Sequence, residues 1–205
     1  KVTPEKILEP HFENTTHRIY GQEFIVVAQD TSFIDFSSHK MTLGLGTATA
    51  IGDYEVKGVH FHAGLALSHE GTPLGLVYSK LWCREKQIKK GHNHTKIPMK
   101  MKESYRWIEC LEKTKELLPS GTNALIVGDR ENDIYEYFER AIDLEVDVLV
   151  RLQHNRLIMD EFGDSERIED FFLNEKVKGL IEVEIPGNGS RVARTATMEV
   201  KFGEV

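Results

Sequence analysis

Two aspartates, Asp30 and Asp129, stand at the ends of short apolar stretches and could act together in chemistry. Asp30 closes the run Glu23–Asp30, and Asp129 follows soon after the apolar run Ala124–Val127. Short runs rich in β-branched residues predict buried strands. If the two strands are neighbours in one sheet, both carboxylates reach the same edge of that sheet.

A pair of close carboxylates predicts a divalent cation, because two neighbouring negative charges repel and the pKa of one is raised. Mg²⁺ prefers carboxylate oxygens and keeps water and phosphate oxygens in its shell. Two such ions about 3.5–4 Å apart activate a water and stabilise the leaving oxygen in phosphodiester cleavage. The pair therefore predicts metal-dependent phosphoryl transfer, with Mg²⁺ as the ion and Mn²⁺ as a substitute.

Each aspartate also has a purely structural explanation. Asp129 precedes a predicted helix and could cap its N-terminus, a contribution of about 1 kcal/mol. Asp30 could begin a turn, although its apolar neighbours predict surroundings in which an unpaired charge is costly. Glu131 and Asp133 fall in the first turn of the predicted helix, where the helix dipole favours acids. Asp133, one turn beyond Asp129, could also approach a metal.

The pattern of apolar residues predicts the elements that would position these side chains. Strands are predicted at Glu23–Asp30 with continuation to Phe36, and at Lys57–Ser68, Leu74–Trp82, Ala124–Val127 and Val146–Val150. Helices are predicted over Trp107–Leu118 and Ile134–Ile142, where apolar residues recur at helical spacing. The Gly-rich stretch Leu43–Gly52 is expected to be a flexible loop.

The resulting order, β-β-β-α-β-α-β, predicts an α/β protein with a mixed five-stranded sheet and helices on both faces. This is the element order of the ribonuclease H-like fold, in which the first and fourth strands are neighbours. Three segments are expected: a lead-in at 1–20, the α/β core at 21–153 and a partial β-rich insertion at 154–205. The insertion has a predicted helix near Arg167–Leu173 and a hairpin of Leu180–Ile185 and Thr195–Phe202.

Composition restricts the class of protein. The 205 residues are 40% hydrophobic and include ten Phe, six Tyr and two Trp, which is enough for a folded core. No apolar run reaches 18 residues, so no membrane span is predicted. Two cysteines, Cys83 and Cys110, cannot form a disulfide framework.

The charge is unevenly distributed. A net charge of −7 argues at first against a nucleic-acid ligand. Residues 80–106, however, contain nine Lys or Arg and only two Glu, so the rest of the chain carries −14. A basic stretch of this kind could contact phosphates or could be a solvated loop.

Several motifs occur in an order that resembles the cut-and-paste DDE transposases of bacterial insertion sequences, in the group that includes the transposon-five transposase. The matching segments are Ala28–Ser32, the Gly44–Gly58 loop followed by His62, Lys102–Trp107, Val127–Asp133 and Val148–Arg151. The resemblance extends from about Gln22 to the C-terminus.

This resemblance implies a ribonuclease H-like core that binds two Mg²⁺ ions. Asp30 would correspond to the first metal-binding aspartate, which contacts both ions, and Asp129 to the second. The family hydrolyses transposon ends, forms and reopens a DNA hairpin and joins the end to target DNA. The implied partner is double-stranded DNA, bound by a synaptic homodimer in the bacterial cytoplasm at the nucleoid. The residues expected to contact DNA are Lys86, Lys89, Lys90, Lys102, Arg106, Arg130 and Arg151.

The third acid of the family, a Glu in a Tyr-x-x-Arg-x-x-x-Glu string, is not found here. We therefore expect a truncated core with two of three metal ligands and little or no transposition by this chain alone. Two alternatives remain open at this stage. One is a self-contained ribonuclease H-like nuclease with Asp133 or Glu161 as the third acid. The other is a non-catalytic, domesticated remnant that binds DNA or a protein.

Overall fold

The computed structural model describes residues 2–51, 54–84, 97–159 and 163–203. Within these residues the helices are α1 Pro4–Ile19, α2 Tyr105–Leu117, α3 Tyr135–Asp143 and α4 Ile168–Asn174. The strands are β1 Phe24–Asp35, β2 Gly46–Ile51, β3 Tyr54–Ser68, β4 Pro73–Trp82, β5 Asn123–Gly128, β6 Asp147–Val150, β7 Leu157–Met159, β8 Ser165–Arg167, β9 Gly179–Ile185 and β10 Arg194–Val200. The chain divides into two compact units, Lys1–Gln153 and His154–Val205.

The first unit is built on a six-stranded mixed sheet. Its strands follow the order β2-β3-β1-β5-β6, and β4 also pairs with β3. β3 is antiparallel to β1 and to β4, whereas β1, β5 and β6 are parallel. Without β2, the order β4-β3-β1-β5-β6 is that of the ribonuclease H-like fold. The predicted α/β class with a mixed sheet is therefore confirmed, as is the expected pairing of the first and fourth predicted strands. The sheet has six strands rather than the predicted five, and α1, α2 and α3 share one core cluster instead of covering both faces.

Side chains alternate between the two faces of the sheet along each strand. The buried ones form a core on one face. Ile25 and Val27 of β1 and Ile126 of β5 are fully buried there. They belong to the same cluster as Trp107 of α2 and Tyr137 of α3, which are also fully buried. On the opposite face of the parallel strands, the side chains are partly or fully exposed; they include Ala28, Val127 and Leu149.

A glycine lets α2 approach the sheet closely. A Cβ on Gly64 of β3 would lie 2.7 Å from Cys110 Sγ and 3.3 Å from Val77 Cγ2. Contacts of this length are well inside the normal van der Waals separation, so the space that a side chain would need is already filled by α2 and β4.

Two segments differ from the sequence-based expectation. The stretch Leu43–Gly52, expected as a flexible loop, contains the strand β2, which pairs with Tyr54–Gly58 at the start of β3. The expected lead-in contains α1, which begins at the N-cap Thr3 and packs against β4. Arg18 Nη1 donates to Leu74 O at 3.0 Å, and the backbone N–H of Leu76 donates to His11 Nε2 at 2.9 Å.

Where the structure describes it, the second unit contains two antiparallel strand pairs and one helix. β7 pairs with β8, α4 follows β8, and β9 pairs with β10 over Gly179–Ile185 and Arg194–Val200. The helix and the hairpin agree with the elements predicted for this part of the chain, whereas β7 and β8 were not predicted. Among the described residues, no helix has the length and apolar character needed to cross a membrane.

Candidate functional site

The two sequence-predicted aspartates occupy equivalent positions on neighbouring parallel strands. Ala28 of β1 is paired with Val127 of β5, and each aspartate lies two residues further along its own strand direction. Asp129 lies one residue beyond β5, and its backbone is still extended, with φ −81° and ψ −165°. Adjacent strands are about 4.8 Å apart. Extended by two residues beyond its last pair, the register would bring Asp30 and Asp129 side by side on the same face of the sheet.

One expectation about Asp30 is wrong. Its neighbours predicted a costly apolar environment, but Asp30 is exposed, and the strand alternation turns Gln29 toward the core instead. The reason is that the helices cover only one face of β1 at this point. No burial penalty therefore needs to be offset by a cation, and the case for a metal depends on the placement of the two carboxylates.

Each carboxylate is oriented by a nearby backbone N–H. The N–H of Thr31 donates to Asp30 Oδ1 at 2.7 Å, and the N–H of Glu131 donates to Asp129 Oδ1 at 2.9 Å. Asp129 thereby caps the 3-10 turn Arg130–Asn132 and not the following helix α3, whose N-cap is Ile134. In the part of the chain that the structure describes, no further hydrogen bond reaches either carboxylate.

The chemistry of these donors fits Mg²⁺. The ion is bound in many proteins by one or two carboxylates, with water and substrate phosphates completing its shell. Asp30 and Asp129 could supply these two carboxylates. Over the described ranges, no group of three or more His, Cys, Asp or Glu side chains is arranged to hold a metal.

Of the two other acids considered from the sequence, Asp133 has a different environment from the one expected. Asp133 lies between the 3-10 turn and α3, outside the first helical turn in which it was expected. Its side chain is buried, and its Oδ2 accepts the backbone N–H of Gln153 at 2.9 Å. Glu161 lies outside the described residues.

Arg151 extends the row of the two aspartates to a third strand. Gly128 of β5 is paired with Val150 of β6, so Arg151 follows at the position beside Asp129. Its backbone N–H donates to Gly128 O at 3.3 Å. Both Arg151 and Arg130 are exposed. The same edge of the sheet thus carries two carboxylates and two exposed cations.

The basic stretch is partly neutralised where the structure describes it. Three of its cations form ion pairs with carboxylates. The pairs are Lys80–Glu109 at 2.5 Å, Arg84–Glu103 at 2.8 Å and Lys102–Glu136 at 4.0 Å. Lys86, Lys89 and Lys90, also expected to contact DNA, lie outside the described residues. The excess of positive charge seen in the sequence is therefore smaller on the described surface.

Arg106 is not a surface cation, although the sequence analysis grouped it with the residues expected to contact DNA. Its side chain is 8% exposed, and its guanidinium lies 5.6 Å from the centre of the Trp82 ring and 5.4 Å from that of Trp107. Burial lowers the pKa of Arg106, and the nearby Glu131 and Glu103 oppose this shift. Arg106 Nη2 pairs with Glu131 Oε2 at 2.5 Å.

A buried polar chain missed by the sequence analysis lies directly behind Asp30. Arg106 Nε donates to Thr31 Oγ1 at 2.8 Å, and the same oxygen lies 2.8 Å from His62 Nδ1. His62 Nε2 lies 3.4 Å from Gln29 Oε1, and Gln29 Nε2 donates to Tyr137 OH at 2.8 Å. The one sequence signal for this network of hydrogen-bonded side chains is Arg106, which stands directly beside Trp107 on an otherwise apolar helix face.

Burial determines the protonation state of His62 in this network. It is the main cause that lowers the pKa of His62 to about 3, and the charges of Arg106 and Lys80 act in the same direction. His62 is therefore neutral at physiological pH. Because Arg106 already donates to Thr31 Oγ1, the Thr31 hydroxyl can donate its own proton to His62 Nδ1.

Comparison with known proteins gives limited similarity. No family model matches the chain, and no curated protein matches it. Among solved structures, it is similar to the Mos1 transposase catalytic domain with raltegravir and Mg, at 10% identity and a TM-score of 0.35 over 71% of this chain and 64% of that one.

Two further Mos1 structures show comparable similarity. The paired-end complex with the left transposon end has 11% identity and a TM-score of 0.34, covering 75% of this chain and 46% of that one. The pre-cleavage transpososome has 9% identity and a TM-score of 0.32, covering 75% and 45%. The chain thus spans less than two thirds of the length of each structure. At these scores the similarity carries no argument, and the ribonuclease H-like assignment depends on the strand order and register of this chain.

Proposed function

We propose that this chain is the catalytic core of a DNA transposase of the DDE type and that its chemistry is Mg²⁺-dependent phosphoryl transfer. The observation that supports the proposal is the parallel register of β1 and β5, whose last pair is Ala28 with Val127. Extended by two residues, this register would bring Asp30, in the middle of β1, beside Asp129 at the edge of the sheet beyond the carboxyl end of β5. In open sheets with parallel strands, this edge is where ligands bind. The motifs around both residues in the sequence support the same assignment.

In this proposal Asp30 and Asp129 hold the metal, and a divalent cation bound there would supply an activated water and stabilise the leaving oxygen. The N–H groups of Thr31 and Glu131 keep the carboxylates in place before the metal arrives. Arg151 and Arg130, exposed at the same edge, attract and position a DNA phosphate. Lys102 and the basic residues Lys86, Lys89 and Lys90 would extend this phosphate contact.

The finer parts of the proposal come from the sequence motifs. They are a bacterial insertion-sequence origin, cleavage of transposon ends through a hairpin, insertion into target DNA and action as a synaptic homodimer at the nucleoid. The competing hypothesis of a self-contained nuclease with Asp133 as third acid is disfavoured, because that carboxylate is buried and accepts the Gln153 N–H.

Metal binding tests the carboxylate pair. Mn²⁺ affinity is measured by electron paramagnetic resonance on the 205-residue chain and on the variants Asp30→Asn and Asp129→Asn. Each substitution is expected to weaken binding at least about tenfold, because it removes a charged ligand oxygen from a site with few others. The control is Asp147→Asn, an exposed aspartate at the opposite end of the parallel strands. Unchanged affinity in both site variants would refute the proposed metal site.

The salt dependence of DNA binding tests the expected phosphate contact. The affinity for a double-stranded oligonucleotide is measured at several salt concentrations for the original chain and for Arg151→Ala. Loss of one phosphate contact lowers the slope of log affinity against log salt by about 0.9. The matched control is Lys115→Ala, an exposed cation on α2. An identical slope for Arg151→Ala and the original chain would remove Arg151 from the proposed DNA contact.

A further inference from the structure

The guanidinium of Arg106 lies between the two segments that carry the aspartates. It extends from α2 and is enclosed by the rings of Trp82 and Trp107. A charge this well buried is costly unless hydrogen bonds and a counter-charge compensate it. The identity of its partners therefore indicates what the buried charge is used for.

Two of those partners belong to the segments of the proposed metal site. Nε donates to Thr31 Oγ1 at 2.8 Å, and Nη2 pairs with Glu131 Oε2 at 2.5 Å. A third bond, from Nη1 to Glu103 O at 3.0 Å, fixes the guanidinium to the start of its own helix. One planar group thus connects α2 to the middle of β1 and to the turn after β5.

The residues that Arg106 holds are the same residues that orient the aspartates. The backbone N–H of Thr31 donates to Asp30 Oδ1, and the backbone N–H of Glu131 donates to Asp129 Oδ1. The path from one carboxylate to the other therefore passes through Thr31, Arg106 and Glu131, and each of its four links is a hydrogen bond of 2.9 Å or less.

We propose that Arg106 is a positioning residue that sets the separation and orientation of the Asp30 and Asp129 carboxylates for metal binding. The inference rests on the proposed function. Arg106 contacts neither the metal nor the reacting atoms; it acts through Thr31 and Glu131. Partners behind metal ligands typically change metal affinity by about 10- to 100-fold when they are removed.

A merely structural role would give a different result. If Arg106 only fills and neutralises a gap between helix and sheet, losing one of its bonds lowers the free energy of unfolding and leaves metal affinity unchanged. If it positions the aspartates, metal affinity falls even where the protein remains folded. Metal affinity and urea unfolding measured on the same variants separate the two roles.

The test uses variants that keep Arg106 itself, because removing it could prevent folding. Thr31→Val removes the hydroxyl at nearly constant shape, and Thr31→Ser restores a hydroxyl. Glu131→Gln removes the counter-charge but keeps the backbone N–H. The control is Glu112→Gln, which breaks a comparable pair between Glu112 and Arg140 at 2.8 Å on another face of α2.

Mn²⁺ affinity is measured by electron paramagnetic resonance on the full 205-residue chain. Thr31→Val and Glu131→Gln are expected to bind about tenfold more weakly, whereas Thr31→Ser and Glu112→Gln stay within about twofold of the original chain. The inference is overturned if Thr31→Val and Glu131→Gln bind as the original chain does while Asp30→Asn does not. If Asp30→Asn and Asp129→Asn also bind normally, the proposed function itself fails, and this inference fails with it.

Discussion

The buried imidazole of His62 provides a specific prediction about stability and pH. His62 has no exposed surface and packs edge-to-face on Trp107 at a centroid distance of 4.5 Å. When neutral, it accepts the Thr31 proton at Nδ1 and places its own proton on Nε2, toward Gln29 Oε1. A second ring proton would leave the Thr31 hydroxyl without its acceptor and would add a charge close to Arg106.

The sign of the pH effect follows from the lowered pKa. In the folded protein the pKa of His62 is about 3, whereas in the unfolded chain a histidine titrates near 6.5. Between these two values the unfolded state binds more protons, so stability falls as pH falls, by up to about 1.4 kcal/mol per pH unit. From pH 7 to pH 5, His62 alone should lower the free energy of unfolding by about 2 kcal/mol.

The assay is urea unfolding of the original chain and of His62→Gln at pH 7, 6 and 5. Both proteins share every other titrating group, so the difference between their pH dependences isolates His62. The variant is expected to lose about 2 kcal/mol less than the original chain over this range. Nitrogen chemical shifts of the ring should show a protonated Nε2 and an unprotonated Nδ1 at pH 6. An equal loss of unfolding free energy in the two proteins, or a protonated Nδ1, would refute this account of the hydrogen bonds of His62.

Two further predictions concern the packing of α2 on the sheet. Gly64→Ala should lower the free energy of unfolding by about 1–3 kcal/mol, because its Cβ would lie 2.7 Å from Cys110 Sγ. The double variant Gly64→Ala/Cys110→Ala should recover part of that loss in urea unfolding, and an equal or larger loss would contradict the steric explanation. Cys110 is fully buried, and burial raises its pKa to about 12, so a thiol reagent should titrate one cysteine per folded chain and two in urea. A second thiol that reacts rapidly in the folded protein would show that α2 opens readily.

The strands and helices could be predicted from the sequence where the pattern of apolar residues was strong. β1, β5 and β6 are short runs of apolar and β-branched residues, and α2 and α3 carry apolar residues at helical spacing. Given the element order, the neighbouring positions of β1 and β5 follow from the fold class. The pairing of β1 with β5, the two strands that lead to Asp30 and Asp129, was therefore predictable from the sequence.

Other features depended on tertiary contacts that local patterns do not contain. β2 consists of small and β-branched residues without apolar alternation, and its strand conformation is supported by pairing with β3. α1 is polar along much of its length and is held by contacts with β4. Asp30 was expected in apolar surroundings because the sequence does not reveal that the helices leave one face of β1 exposed.

The polar chain behind the site could not be predicted for a related reason. Thr31, Arg106 and Glu131 are separated by 75 and 25 residues along the chain, and each is ordinary in its local context. They come together only in the folded structure, where Arg106 of α2 bonds Thr31 of β1 and Glu131 of the turn after β5. Arg106 was consequently assigned to a surface that it does not occupy.

The two aspartates differ in how firmly their backbones are held. Asp30 lies within an antiparallel ladder of eleven paired residues between β1 and β3, where it faces Ala63. Asp129 has already left β5 and sits at the head of a 3-10 turn. Amide hydrogen exchange should therefore be slow along β1 and much faster at Asp129 and Arg130. The backbone of Asp30 is therefore fixed while that of Asp129 is adjustable, so a change in the separation of the two carboxylates would come from the Asp129 side.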